Sequence, residues 1–182
     1  MSLYDKTVQF VDTAFGRKQT KHFERTVFWL EKFQPDITEA HRIAAYAHDI
    51  ERAFRDASKR VPEDYLDLAF LKYHSEMGAE IIAQFLLENE AGEGDIRKVK
   101  HLISKREVGG DTEQNALMAA DSVSFFESNA EMFVREKAPV EGREKIRGKF
   151  DWMFNRISTE ERKAYALANY EKWSKELEKM NQ

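Results

Sequence analysis

The sequence predicts an all-α protein, and two observations lead to that prediction. Apolar residues recur at helical spacing almost throughout the chain, and no stretch shows the alternating pattern of a strand with hairpin signals. Glycine and proline are scarce, at 8 and 3 of 182 residues, so few positions favour a break. A chain of this length favours one domain, and we therefore expect residues 1–182 to form a single helical bundle.

Three helices are predicted before the first loop. Residues 3–15 and 18–33 both carry apolar side chains at intervals of three and four residues, and Pro35 ends the second of them. A third helix, with an aspartate and a threonine available as caps, is expected to run to about residue 54. Polar residues 55–61 then predict a loop.

The later helices follow from the same signals. A short helix near 64–73 and a longer one near 75–90 precede a glycine-containing break at 91–94. Asp95 and Thr112 are the expected caps of the next two helices. The predicted helices from that point span 95–103, 112–137, 140–154 and 160–179.

Composition and charge limit the chemistry. The chain has no cysteine, so a metal would have to be held by imidazole and carboxylate groups. Its net charge of −4 argues against a broad surface for duplex nucleic acid. No apolar run approaches the length of a membrane span, and the first 15 residues are too charged for a signal peptide. We therefore expect a cytoplasmic protein without membrane contact, and a homo-oligomer stays open.

Candidate functional residues begin with the histidines. His41 lies beside charged neighbours and is expected to face solvent. The other four each lie at or beside the end of an apolar helical stretch, where a polar side chain would face the interior or a cleft. These are His22, His48, His74 and His101.

An aspartate in the middle of an apolar helix extends this set. Asp121 follows Leu117-Met118-Ala119-Ala120. A buried carboxylate without a partner is costly or shifts its pKa until it is neutral, so a partner is expected. An arginine or a helix cap is the common partner, and a metal held by imidazoles is another. These residue types suit Mn, Fe, Co, Ni or Zn and do not choose among them.

Three local motifs give this pattern a family resemblance. His22-Phe23-Glu24-Arg25-Thr26-Val27 has a histidine followed three residues later by arginine, and Ala44-Ala45-Tyr46-Ala47-His48-Asp49-Ile50-Glu51 leads small apolar residues into a His-Asp-Ile sequence. Glu113 precedes Asp121 by eight residues in a Glu…Ala-Asp pattern. The ordered set resembles the HD domain superfamily of metal-dependent phosphohydrolases, over residues 18–130.

The resemblance implies a helical metal-binding core over residues 18–130, with residues 131–182 as a C-terminal helical extension. It also implies one or two divalent ions, Mg²⁺ included. In two-metal subfamilies two further histidines join the ligands and Asp49 bridges the ions. The implied ligands are His22, His48, Asp49 and Asp121, with His74 and His101 as the additional pair.

The leading hypothesis is hydrolysis of a small phosphorylated molecule, most simply a nucleotide. A bound divalent ion activates water and polarises a phosphoryl oxygen, and cations must face the charge on the transferred group. Arg25 and Arg52, each about one turn from a predicted ligand, are candidates for that role, and surface ion pairing is the alternative for each. Glu51 is a candidate general base. Lys105 and Arg106 are a candidate phosphate-binding edge.

Two other functions remain open at this stage. The same ligand set in a di-iron branch of the superfamily activates dioxygen, and His74 with His101 would complete such a centre. A non-catalytic module that binds a nucleotide in the same pocket is the third hypothesis. The absence of a Gly-Tyr-Pro sequence argues against the cyclic-dinucleotide phosphodiesterase branch.

Overall fold

Every regular element in the computed structural model, which describes residues 1–55, 64 and 66–180, is helical. The predicted all-α class is therefore confirmed. A π-helical turn, Phe133–Lys137, joins α8 to α9. The helices are α1 (Leu3–Phe15), α2 (Thr20–Phe33), α3 (Glu39–Ala47), α4 (Glu51–Phe54), α5 (Leu68–Glu88), α6 (Glu93–Ser104), α7 (Thr112–Ser128), α8 (Ala130–Met132), α9 (Ala138–Glu141), α10 (Arg143–Asn155) and α11 (Glu160–Lys179).

Side-chain caps set where the site-bearing helix α7 begins. Oδ1 of Asp111 accepts hydrogen bonds from the backbone N–H groups of Glu113 and Gln114, at 3.0 and 2.9 Å. The Gln114 side chain returns a bond to the Asp111 N–H, which completes a capping box. The predicted cap, Thr112, is therefore wrong by one residue. Asp95 is also not a cap, because its helix already begins at Glu93 after Gly92.

A turn interrupts the helix predicted to run to residue 54. α3 ends at Ala47, a turn covers 48–50, and α4 then begins at Glu51. No glycine or proline marks this break in the sequence. The side chain of His48 stabilises it, because Nδ1 donates to the carbonyl oxygen of Ala45 at 2.7 Å. The turn places consecutive polar residues at the interior end of α3.

The other predicted breaks also differ from the structure. Residues Leu68–Glu88 form one helix, because nothing near residue 74 interrupts the backbone hydrogen bonds, so the two predicted helices there are one. The helix predicted over 112–137 stops at Ser128, and short elements follow. The predicted loop over 55–61 lies outside the described residues except for Arg55.

The core forms around α2, α3 and α7. α2 packs along α7, and α3 lies against α1, α2 and α6. Ala44, Ala45 and Ala47 are fully buried, so small side chains let α3 approach its neighbours closely. α10 and α11 close the bundle over α7. Among the described helices, none is both long and apolar enough to cross a membrane.

Aromatic packing joins the C-terminal helices to α7. The ring of Phe126 lies 5.7 Å from the rings of both Phe150 and Tyr170, in edge-to-face arrangements. Trp173 donates its indole N–H to the backbone oxygen of Phe126 at 3.2 Å. The helices after residue 131 therefore share one core with α7.

Candidate metal centre

Three buried side chains converge where α2, the turn after α3, and α7 meet. Nε2 of His22 and Nε2 of His48 each lie 3.3 Å from Oδ1 of Asp121. All three side chains are almost completely buried. Their ligand atoms lie within 4.8 Å of one another, which is close enough to bind one metal ion. We call His22, His48 and Asp121 the first group.

The hydrogen bonds around the first group determine which ring nitrogens carry hydrogen. Nδ1 of His48 contacts a carbonyl oxygen, Ala45 O, and must therefore be the protonated nitrogen. Nδ1 of His22 lies 2.8 Å from Ser124 Oγ, which also contacts the Asp121 carbonyl oxygen at 3.0 Å and Thr26 Oγ1 at 2.7 Å. Burial also lowers the pKa of His22, which favours its neutral ring. Nε2 of His48 is thus left with a lone pair, and Nε2 of His22 has one when Nδ1 donates to Ser124.

At His48 the first group places one hydrogen-bond acceptor against another. Nε2 of His48 is buried with no hydrogen-bond partner in the described part of the chain, and it faces Oδ1 of Asp121, as does Nε2 of His22. Such an arrangement is costly unless a cation lies between the groups. Imidazole nitrogen and carboxylate oxygen fit a divalent transition metal. Mg²⁺ fits less well, because it prefers oxygen ligands.

A second group lies beside the first, and it already contains a cation. The group comprises Asp49, His74 and Glu107. Nη2 of Arg106 donates to Asp49 Oδ1 at 2.5 Å, to His74 Nε2, and lies 2.9 Å from Glu107 Oε1. On the other side of its ring, His74 donates from Nδ1 to Glu51 Oε2 at 2.7 Å, which fixes its orientation.

Arg156, which directly follows α10, contacts both groups. Its Nη2 lies 2.5 Å from Oδ2 of Asp121, and its Nη1 lies 2.6 Å from Oε2 of Glu107. Nη1 of Arg106 also reaches Asp121 Oδ2, at 3.2 Å. The arginines therefore hold Oδ2 of Asp121 and leave Oδ1 facing the histidines.

Arginines keep the buried carboxylates ionised. Burial alone would raise the pKa of Asp49, but Arg52 and Arg106 hold it well below its usual range. Burial likewise opposes ionisation of Asp121, and Arg156 again holds the pKa well below its usual range. The centre thus offers charged carboxylates to a metal at neutral pH.

A cavity of about 280 Å³ opens beside the second group, with Arg52, Arg55, His74 and Lys149 in its wall. Arg52 contacts Asp49 Oδ2 at 3.0 Å and is otherwise 44% exposed in its side chain. Lys149 is only 9% exposed and makes no hydrogen bond or ion pair with any described residue. Burial lowers its pKa to about 8, against the opposing effect of Glu107. This side of the centre is suited to an anion.

The structure brings together most of the predicted ligands. His22, His48 and Asp121 form the first group, and Asp49 and His74 belong to the second. Asp49 Oδ1 lies 3.9 Å from His48 Nε2, so this carboxylate stands between the two groups, as a bridging residue would.

The structure places His101, predicted as a further ligand, outside both groups. Its side chain is 49% exposed, and Nε2 lies 2.5 Å from Oδ2 of Asp111. The physical reason is the phase of α6, which turns Val99, Leu102 and Ile103 into the core and places residue 101 outside. Glu107 occupies the place in the second group that the sequence suggested for a histidine.

Two other histidine and arginine expectations also need correction. His41 is buried rather than solvent-facing: Nδ1 accepts from the Thr38 N–H at 3.1 Å, and Nε2 lies 3.2 Å from Glu113. Arg25 pairs with Glu127 at 2.6 Å, and it belongs to neither ligand group.

Of the remaining predicted residues, some lie where the predicted role requires and others do not. Arg52 lies in the cavity wall as expected for an anion-facing cation. Glu51 has its oxygens committed to Arg55 and His74, and these partners lower its pKa to about 2 against burial, so it orients His74 and is a poor general base. Lys105 is exposed, while Arg106 is fully buried, so the two do not form a shared phosphate-binding edge.

Glu107, Lys149 and Arg156 were not predicted as site residues. Glu107 lies in the turn after α6, and it is buried where its carboxylate contacts Arg106 and Arg156. Lys149 lies within a helix that carries many charged residues, and Arg156 directly follows it. Nothing in the local sequence shows which of the cationic side chains face the interior and which face solvent. Only the docking of α10 identifies them.

Fold and site together define an all-helical protein with buried histidine–carboxylate groups that could hold a metal ion, which is compatible with a metal-dependent enzyme. The chain belongs to the family described as "Domain of unknown function (DUF4202)", whose model matches residues 4–180. Comparison with curated proteins and with solved structures gives no match. The matched range includes α10 and the turn after it, so Lys149 and Arg156 are part of the family's domain.

Proposed function

We propose that this protein is a metal-dependent phosphohydrolase of the HD type, acting in the cytoplasm on a small phosphorylated molecule such as a nucleotide. The observation that carries the proposal is the first group, in which Nε2 of His22 and Nε2 of His48 both lie 3.3 Å from Oδ1 of Asp121 and Nε2 of His48 has no hydrogen-bond partner among the described residues. A divalent ion held by His22, His48 and Asp121 would supply an activated water and polarise a phosphoryl oxygen.

The wall of the adjacent cavity supports a phosphorylated substrate. Lys149 is a buried ammonium without a carboxylate partner among the described residues, and Arg52 and Arg55 lie in the same wall. Cations held in a partly dehydrated site bind a phosphoryl group strongly. The cavity volume of about 280 Å³ is at the small end of ligand sites, which favours a small substrate.

Each side chain of the centre has a separate role in this proposal. Lys149 and Arg52 bind the phosphoryl oxygens and orient the phosphorus toward the first group. Arg156 holds Oδ2 of Asp121, so that Oδ1 keeps its direction. Ser124 fixes the ring of His22 through Nδ1. Burial of these groups excludes bulk water, which strengthens each electrostatic interaction.

The direct test is phosphate release by protein loaded separately with Mn²⁺, Fe²⁺ and Zn²⁺. Nucleoside mono-, di- and triphosphates and sugar phosphates form the substrate panel, and inorganic phosphate is measured. We expect release that requires the metal and that a chelator abolishes. Tight nucleotide binding with no turnover at any metal would instead favour a sensing module, and no release from any substrate would reject the hydrolase.

Lys149→Met tests the anion-binding role of the cavity. Loss of a charge-assisted hydrogen bond of about 1.5–3 kcal/mol should raise KM for the phosphorylated substrate by about 10- to 100-fold. Lys145→Met is the matched control on the same helix, because Lys145 pairs with Glu141, and it should leave KM unchanged. An equal effect of both substitutions would contradict the assignment.

The same lysine predicts a pH dependence. Its pKa is lowered to about 8, so the ammonium loses its proton as the pH rises through that value, and substrate affinity should fall on the alkaline side. Lys149→Arg keeps a positive charge at higher pH and should shift this loss upward. A pH profile of KM that is the same in both proteins would contradict the role of Lys149.

A further inference from the structure

We infer that the centre binds one metal ion rather than two, because the guanidinium of Arg106 takes the position of the second ion. This inference rests on the proposed metal centre and adds its stoichiometry. Its consequence is that a coupled pair of metals, which a di-iron oxygenase would need, does not form in this chain.

The contacts of Arg106 are those expected of a cation at a ligand cluster. A single nitrogen, Nη2, contacts one ligand atom from each member of the second group: Asp49 Oδ1, His74 Nε2 and Glu107 Oε1. These are the same atoms that a metal would require. A guanidinium does not lose its proton under ordinary conditions, so the positive charge is permanent.

The two groups differ in a way that explains why only one would take a metal. His74 receives a hydrogen from Arg106 at Nε2, so its lone pair is already used. In the first group, by contrast, Nε2 of His48 has no donor within the described residues. Arg106 reaches Asp121 only at Oδ2 and leaves Oδ1 to the histidines. The first group is therefore the one of the two that keeps ligand atoms available to a metal ion.

Displacement of Arg106 by a second ion would be unfavourable. The arginine is 1% exposed, and it is held by Asp49, Glu107 and Asp121. An ion that took over these carboxylates would leave a buried guanidinium without its counter-charges. His101, the residue expected to help hold a second ion, lies outside the centre and offers no replacement ligand.

Charge balance points in the same direction. The buried carboxylates of the centre are Asp49, Glu51, Glu107 and Asp121. The cations that contact them or line the cavity are Arg52, Arg55, Arg106, Lys149 and Arg156. The five cations already exceed the four carboxylates by one positive charge. One divalent ion adds to that excess at a site suited to a phosphoryl anion, and a second ion would add further charge that no other buried carboxylate in the described centre offsets.

The test is the number of Mn²⁺ ions bound per chain. The full-length protein is loaded with excess Mn²⁺, passed through a desalting column and analysed for manganese, and its electron paramagnetic resonance spectrum is recorded. We expect a ratio near one and the resolved hyperfine pattern of isolated Mn²⁺. A ratio near two, with the broadened spectrum of an exchange-coupled pair, would overturn the inference.

Variants then test whether Arg106 is the cause. Arg106→His removes the cation and adds a metal ligand, so the ratio should rise toward two, whereas Arg106→Lys keeps a cation and should stay near one. Arg42→Ala, which removes a surface arginine paired with Glu31, is the matched control and should also stay near one. A folded Arg106→His protein that remains at one would overturn the inference.

The outcomes separate this inference from the proposed function. A ratio near one without phosphate release from any substrate would reject the hydrolase and leave the stoichiometry standing. A ratio near two with phosphate release would support the hydrolase and reject the one-metal stoichiometry. A ratio of zero in the wild-type protein would reject both. If Arg106→His does not fold, the wild-type ratio and spectrum still decide the question.

Discussion

Asp121→Ala is expected to abolish metal binding and to lower the free energy of unfolding by about 3–5 kcal/mol, the range for breaking a buried ion pair. Asp121 supplies the shared oxygen of the first group and the counter-charge for Arg106 and Arg156. Without it, two nearly buried guanidinium groups lose a partner. Chemical denaturation and metal analysis of the purified variant measure the two effects.

Two further variants make the Asp121 result specific. Asp121→Asn keeps the size of the side chain and removes its charge, so metal should be lost even where the fold survives. Glu178→Ala breaks a surface pair with Arg147 and should change stability by no more than about 1 kcal/mol, with metal content unchanged. Retention of wild-type metal content by both Asp121 variants would show that the first group does not bind metal.

His48→Ala is expected to lower metal affinity by more than about 100-fold, because even changes to residues behind the ligands cost about 10- to 100-fold. The structure assigns His48 to the first group with its unpartnered Nε2. Phosphate release at limiting metal should fall by a similar factor. Titration of the apoprotein with Zn²⁺, using a competing chelator, measures the affinity directly.

His101→Ala is the natural comparison, because both histidines were predicted from the sequence as candidate ligands. His101 lies on the exposed side of α6 and pairs with Asp111, so its removal should change metal affinity by less than about twofold and stability by up to about 1 kcal/mol. Equal losses in the two variants would mean that the centre involves residues other than those of the first group.

Helix ends with strong local signals were predictable from the sequence. The predicted bounds of α1 and α11 agree with the structure, because Ser2 and Thr159 each accept a hydrogen bond from the first turn. The break after Ala47 was not predictable, because it depends on a hydrogen bond from the His48 side chain to the backbone. Local residue preferences therefore predict a helix end that has a capping residue. They do not predict a break that depends on a side-chain hydrogen bond, such as the one after Ala47.

The candidate site likewise contains some residues that the sequence indicates and others that it does not. His22, His48, Asp49, His74 and Asp121 could be selected because a polar residue in an apolar helix needs a partner. His101 met the same criterion and lies outside both groups, since a shift of one residue on a helix rotates the side chain by about 100°. Lys149 and Arg156 could not be selected in this way. A lysine or arginine among other charged residues gives no sign that it is buried until the packing of its helix is known.

The contact between Arg156 and the carboxylates of Asp121 and Glu107 has a consequence for how the protein matures. Without α10 and the residue after it, Asp121 and Glu107 lose Arg156 and keep Arg106 as their described arginine partner, so part of their mutual repulsion is no longer offset. A ribosome releases α10 after every ligand-bearing segment has already been synthesised. We therefore expect the centre to reach its binding geometry only after α10 and α11 have packed against α7. Metal binding would then follow the folding of these two helices. A fragment that ends after α7 would hold every ligand of the first group and still lack the order that makes them a site.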